Sequence, residues 1–436
     1  MVKYRFGADL ALSATMPRLG LRSRETLKVG VLAPFTGDAA SWGLPGLHAC
    51  LIWAEWCNKA GGVRIGGRSH EVEIKAFDDR YDPSRALRGI KHLVQEEGVR
   101  FVLMLGGDTV PAIARFLTET KTLAATLLPS DLSPDIPYLI APCEVHPIYL
   151  VTGVDWIARN RPEMKRAAIC AQKDALGLPS VATYRAAFEV AGIDVVKEIL
   201  FPGSLQDVDS MIDVLLENEP DILCWDTAYE PFVHALTEAA HRRGFRGQLL
   251  SCTCDDYPAL VARTGADFME GFLFHFPDFD DPALQDPGVG FARPRAFFDE
   301  FNLRYPGEWS AVPWEYFSIL DMWRKAVERA QTVETATVLG ALKTGGIGRN
   351  VFGEARWWGD ELFGIDHALV GNWPVVRIEC GKARIVEFGS ILDWWDRHGE
   401  ALVRHMRIYG QMWDQRYDRL MAGQAAPVPQ NPPTSS

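Results

Sequence analysis

The chain has 436 residues, 47% of them hydrophobic and 23% charged, and 45 basic against 57 acidic side chains leave a net charge of −12. That length is long for one core and suits two, and the apolar fraction is that of an ordinary globular protein. No run of Lys and Arg offsets the acidic balance, which argues against nucleic acid as a partner, and no window is long and uncharged enough to span a membrane.

The segment before Leu27 carries Lys3, Arg5, Arg18, Arg22 and Arg24, but Asp9 interrupts its apolar stretch. Leu10 to Met16 is too short and polar for a secretory core, so two expectations stand: a cytosolic chain, or a start that does not represent the exported form. Leu27 to Ala33 then reads as a short β-rich run stopped by Pro34. Cys50, Trp53, Ala54 and Cys57 follow at helical spacing, and Gly61-Gly62 ends that helix. His70 to Ala76 alternates as a strand, and Pro83 opens a helix through about Glu96. Phe101 to Leu105 is a strand, Val110 to Thr120 a helix and Leu123 to Leu127 a strand, a rhythm that implies a parallel, doubly wound sheet.

The rhythm restarts after about Val145. Strands at 167–171, 195–200, 222–225 and 248–251 alternate with helices at 179–191, 208–217 and 231–243. The fold class is therefore α/β, with two doubly wound parallel-sheet lobes of similar size. Further on, 278–286 is loop-like, and 296–304, 313–330 and 335–342 read as helices. Residues 375–379 and 383–387 flank Gly381-Lys382 as a hairpin, and Ile391 to Met421 reads as a helical stretch. The tail from Ala422, rich in Pro, Gln and Ser, is expected to be disordered.

Three pieces then stand in order: VGVLAPFTGDAASWG, NKAGGV and FDDRYDPSRA. In residues they are Pro34, Thr36, Gly37, Ala40 and Gly43; Asn58, Gly61, Gly62 and Val63; Asp78, Asp79, Pro83 and Ala86. Together they resemble the type I periplasmic solute-binding proteins of branched-chain amino acid ABC transporters, the Leu/Ile/Val-binding protein family. The likeness runs from Leu27 to about Phe388. It implies a ligand cleft between two lobes, with crossings near Glu144, Phe276 and Arg349. The implied division is an extension at 1–26, one lobe of 27–143 plus 277–348, and a second of 144–276 plus 349–390. A helical extension at 391–421 and a tail at 422–436 lie outside the resemblance.

In doubly wound sheets ligands sit beyond the carboxyl ends of strands, at the switch in strand order. In this chain those ends are 36–42, 106–109 and 129–131 in the first lobe, and 173–177, 226–229 and 252–256 in the second. Asp108 is the sharpest candidate, although Asp there also suits a helix N-cap. Thr109 alone keeps the family's hydroxyl chemistry on that rim, and Ser130 is the nearest polar match on the next, beside Asp131. Trp42, placed in the loop after the first strand, Tyr229 and Trp314 are candidate aromatic walls. Asp174 opens D-A-L-G where the family has D-x-x-Y-G, and Cys254 and Asp255 lie where the family places an acid against a ligand ammonium. For Asp256 a helix cap is favoured over a ligand role.

Cys50, Cys57, Cys170, Cys224 and Cys380 look like reduced, hydrophobe-like thiols. Cys252-Thr253-Cys254 lacks the spacer and nearby histidines of a zinc site, so no metal is expected, and no cofactor either. The common nucleophile, metalloprotease and nucleotide motifs are missing, so no catalysis is expected. The expected partners are a small organic ligand and, by resemblance, membrane ABC permease subunits, with a periplasmic location. A cytosolic ligand sensor on the same fold is the alternative. Asp108, Asp131 and Trp42 argue against a simple leucine-like ligand; an amine, several hydroxyls or an aromatic ring fits better.

Overall fold

In the computed structural model the residues described are 25–37, 39–202, 207–226, 230–286, 288–344 and 349–415. The chain begins with β1 (Glu25–Ala33), α1 (Ala40–Lys59), β2 (Val63–Ile65), β3 (Arg68–Asp78), α2 (Pro83–Lys91), β4 (Phe101–Met104), α3 (Val110–Thr120), β5 (Leu123–Thr126) and β6 (Leu139–Ile140). These strands form a six-stranded sheet in the order β2-β3-β1-β4-β5-β6, parallel except for the β2–β3 pair. Val29 and Val31 on β1, and all of β4 and β5, are buried, because helices cover both faces. Asp82 caps α2 by accepting from Arg85 N at 2.8 Å, and Pro83 fills its first turn.

The next stretch supplies α4 (Leu150–Asn160), β7 (Arg166–Gln172), α5 (Gly177–Val190), β8 (Asp194–Phe201), α6 (Val208–Leu216), β9 (Ile222–Asp226), α7 (Glu230–Arg242), β10 (Gln248–Ser251), α8 (Tyr257–Thr264), α9 (Ala266–Met269) and β11 (Leu273–Phe274). The chain then returns to the first sheet. There α10 (Pro294–Arg304) and α11 (Val312–Ala330) pack on α1, with α12 (Thr335–Thr344) on α11. It finally rejoins the second sheet as β12 (Arg349–Asn350), β13 (Gly353–Trp358), α13 (Asp360–Phe363), β14 (Ala368–Glu379), β15 (Lys382–Ser390) and α14 (Ile391–Ile408). That sheet has nine strands, β12-β13-β14-β11-β10-β9-β7-β8 with β15 on β14. Its core strands β8, β7, β9, β10 and β11 are parallel, and β14 joins antiparallel.

Order switches at β1, between β3 and β4, and again at β7, between β8 and β9. The carboxyl ends of β1, β4, β7 and β9 are therefore the places where each sheet opens a crevice. Ala141 links the sheets, donating to His367 O at 2.9 Å and accepting from Leu369 N at 3.0 Å.

Three expectations change, among them Cys380, which is exposed at the turn between β14 and β15 with φ 50 and is not a packing thiol. Trp42 lies in the first turn of α1, not in a loop, because the helix starts ten residues before its apolar stripe becomes regular. The C-terminal helical stretch is interrupted after Ile408, where Gly410 at φ 63 lets Gly410 N and Gln411 N reach back to Arg407 O and Met406 O; helical backbone resumes at 413–415, and 416–421 lie outside the described residues. Helix α14 lies against α5 and β14, with Arg404 and His405 paired to Glu189 and Tyr409 OH bonded to Glu198 at 2.8 Å. The tail expected to be disordered, 422–436, and nearly all of the extension at 1–26 lie outside the described residues.

Candidate functional site

The rim after β4 and β5 is a closed knot of hydrogen bonds. Asp131 Oδ2 accepts from Gly107 N at 2.9 Å and from Thr126 Oγ1 at 2.7 Å. Thr109 Oγ1 donates to Gly106 O at 3.2 Å, and Asp108 N donates to Tyr81 OH at 3.3 Å. Helix α3 is preceded by Thr109, whose side chain makes no cap bond, so Asp108 does not occupy the cap position. Ser130 Oγ is buried and meets no partner among the described residues. The loop before it is braced likewise: Asp78 accepts from Phe35 N at 2.8 Å and from Thr36 Oγ1 at 2.6 Å. These Asp and Thr positions hold loop shape.

On the second sheet, Asp174 Oδ1 accepts from Leu176 N and Gly177 N at 3.0 and 2.8 Å, fixing the start of α5. Cys254 turns into the core with Trp225 and Leu260, and burial pushes its thiol well up, so it is a packing residue. Tyr229 lies outside the described residues. Asp256 precedes α8 in left-handed geometry and makes no cap bond.

Asp255 joins the two lobes. Its Oδ1 accepts from Ala311 N at 3.1 Å, its carboxylate accepts from the Trp42 indole, and its Oδ2 is buried without a partner among the described residues. Burial, then the nearby Glu230, pushes its pKa up to about 7. Trp314 is fully buried at the start of α11, stacked on Phe279 at 5.2 Å and packed with Phe352 and Trp373. Its Nε1 has no partner among the described residues. Trp42 and Asp255 thus meet at the seam between the lobes, Trp314 packs among aromatics at the start of α11, and Asp108, Thr109 and Asp131 belong to the knot around Gly107.

The seam also contains side chains not singled out by sequence reasoning. Glu315 follows Trp314 and is 0% exposed; it faces Glu144, and burial holds both carboxyls well above the usual range. Tyr149 bonds to Glu144, lies 2.9 Å from Cys252 Sγ and stacks on Trp373 at 4.9 Å. Ser180 Oγ is 2.7 Å from His146 Nε2 and also bonds Asp226, whose pKa burial raises strongly. His146, Asp226 and Cys252 bring ligand-type atoms within 4.8 Å of one another. The histidine found missing near Cys252 in the sequence is therefore supplied from 106 positions away by the crossing segment. Tyr149 and Ser180 already engage this set, which makes it a hydrogen-bonded floor under the seam. The one sequence signal was position: Asp226 and Cys252 end strands, and Glu144 marks a crossing.

A two-lobed α/β fold, with polar side chains from both lobes converging between them, defines the class of solute-binding proteins. The model of the periplasmic binding protein family matches residues 26–383. The chain belongs to that family. A leucine-, isoleucine-, valine-, threonine- and alanine-binding protein of Pseudomonas aeruginosa is 25% identical over 334 residues, 73% of this chain and 82% of the relative. A Leu/Ile/Val-binding protein homolog of Brucella melitensis is 26% identical over 197 residues, 43% of this chain and 51% of that relative, so the chain spans about half its length. A leucine-binding protein of Thermotoga maritima has the same fold, with a TM-score of 0.69 at 19% identity, covering 84% of this chain and 100% of that one. So does an ABC-transporter solute-binding protein of Rhodopseudomonas palustris in complex with 3,4-dihydroxybenzoic acid, with a TM-score of 0.69 at 17% identity, covering 84% and 98%.

Proposed function

We propose that this protein is the solute-binding subunit of an ABC-type uptake system, closing on a small organic ligand at the seam between its lobes and delivering it to a permease without altering it. The observation that carries the reading is Asp255, which reaches from the second lobe to Trp42 and Ala311 of the first. A residue of one lobe bonded to the other reports closure, and a ligand enclosed there loses most of its surface to protein. In this reading residues 27–143 and 277–348 form one lobe, and 144–276 and 349–390 the other. Trp42, Asp255 and Trp314 face the ligand, Glu144 and Glu315 complete the enclosure, and Asp108, Thr109, Ser130, Asp131 and Asp174 shape the rims. A simple branched-chain amino acid is disfavoured as the ligand, because Gly107 N, Asp108 N and the Thr109 hydroxyl are already engaged, leaving the Ser130 hydroxyl on that rim to hold its carboxylate.

The test is a thermal-shift screen of small metabolites followed by small-angle scattering with each hit. Compaction on binding supports the reading, and hits that leave the radius of gyration unchanged contradict it. A second reading, a cytosolic ligand sensor, is favoured by one feature. Eight cysteines are free, seven of them buried, and Cys252 meets Tyr149 as a thiol. Mass spectrometry of the native N-terminus separates the two, since removal of a leader segment, as opposed to Met1 alone, accompanies export.

A further inference from the structure

Four carboxyl groups end inside the seam: Glu144, Asp226, Asp255 and Glu315, none more than 9% exposed. Glu315 is faced by Glu144 and Cys143 from the crossing segment, by Asp255 from the segment after β10, and by Tyr316 from its own helix. Glu144 is faced by Tyr149 and Glu315. Asp255 is faced by Glu230, Asp256, Cys252, Trp42 and the Ala311 N–H, and Asp226 by Ser180, Asp174, His146 and Cys252. None of these neighbours is Lys or Arg. A buried cluster of acids without a counter-charge must hold protons or receive a cation.

Two independent observations point to a ligand there. Both carboxylate oxygens of the fully buried Glu315 are without a hydrogen-bond partner among the described residues. The Ser310 hydroxyl, one residue before the amide that caps Asp255, is buried and without a partner among the described residues too. Around Gly107 three first-lobe groups suited to an anion are engaged, Gly107 N by Asp131, Asp108 N by Tyr81 and the Thr109 hydroxyl by Gly106 O, while the Ser130 hydroxyl beside them has no partner among the described residues.

We propose that the ligand is a small organic cation, an amine or amidinium without a carboxylate, held by Glu144, Glu315 and Asp255. This rests on the seam being the binding site, as read above. In the ligand-free protein the carboxyls retain protons. When the cation arrives its N–H groups replace them as donors, and the displaced protons pass to solvent. Affinity therefore rises with pH.

The test is calorimetry of the full chain with putrescine and agmatine, and with leucine, benzoate and acetamide, in buffers of different ionisation enthalpy at pH 6 and pH 8. The expected result is tight binding of a cation with proton release, strengthening about tenfold between the two pH values. Glu315→Gln is expected to weaken it about 100-fold. That variant removes a buried acid, so its melting temperature should not fall, and Glu144→Gln repeats the test at the other carboxyl. Failure of both cations to bind, binding without proton release, or binding unchanged in both variants overturns the proposal. Tight binding of leucine, benzoate or acetamide with compaction would also overturn it while leaving the solute-binding reading intact; absence of any ligand that compacts the protein defeats both.

Discussion

Asp131 ties two loops of the first sheet together through one oxygen, which accepts from a buried backbone amide and a buried hydroxyl. Replacing it with Ala leaves Gly107 N–H unsatisfied, a loss of about 3 kcal/mol in urea denaturation. Asp131→Asn keeps an acceptor and should cost about 1 kcal/mol. Equal losses for the two would show that the knot is held by something other than this acceptor. The residue scale is also where sequence reasoning was weakest. An Asp after a strand looks the same whether it braces a loop, as Asp131 and Asp174 do, or joins two lobes, as Asp255 does. Glu315 carried no signal at all, since one Glu in the first turn of a helix is ordinary; only the crossing segment bringing Glu144 against it makes it unusual.

Among the elements, strand and helix identity were legible because parallel strands buried on both faces read as apolar runs and each helix carries a stripe. Strands as short as β6, β11 and β12 were not, since two residues hold no periodicity. Helix starts were obscured where glycine does packing work. A Cβ on Gly177 would lie 1.9 Å from Gln172 O, and one on Gly43 would lie 1.9 Å from Pro34 O, so both helices sit directly on the loops that precede them. Gly177→Ala should cost on the order of 3 kcal/mol by forcing α5 away from β7. Gly192, in the left-handed region with open space around it, should cost about 1 kcal/mol on the same change. Similar losses at the two sites in chemical denaturation would contradict the close-approach argument.

At the scale of the whole molecule, the buried acids of the seam make stability depend on pH. Burial raises the pKa of Asp255 to about 7 and lifts Glu144, Glu315 and Asp226 as well, so the folded chain holds more protons than the unfolded one near neutrality. Stability then falls as pH rises wherever the native state binds more protons. His275, lowered to about 3 by burial, works in the opposite sense, but only below its unfolded value near 6.5. Between pH 6.5 and pH 8 these carboxyls act in the same sense as Asp79, raised by burial to about 7 outside the seam, and the melting temperature should drop across that window. Glu315→Gln should flatten the slope, and a flat wild-type profile would mean that these acids are ionised and compensated.

The two-lobe plan could be read from the doubled rhythm of strands and helices, but the seam could not, because it is made where the lobes meet. The same first lobe also carries a cavity of about 600 Å³ between α1 and α11, lined by Trp53, Trp56, Arg293 and Arg324, so a ligand has a second place to go. Amide hydrogen exchange with and without a stabilising ligand decides between them. The seam predicts new protection at 142–149, 252–256 and 310–316 together, because closure shields segments of both lobes at once. Protection confined to 53–64 and 317–331 would place the ligand in the first lobe alone and contradict binding between the lobes.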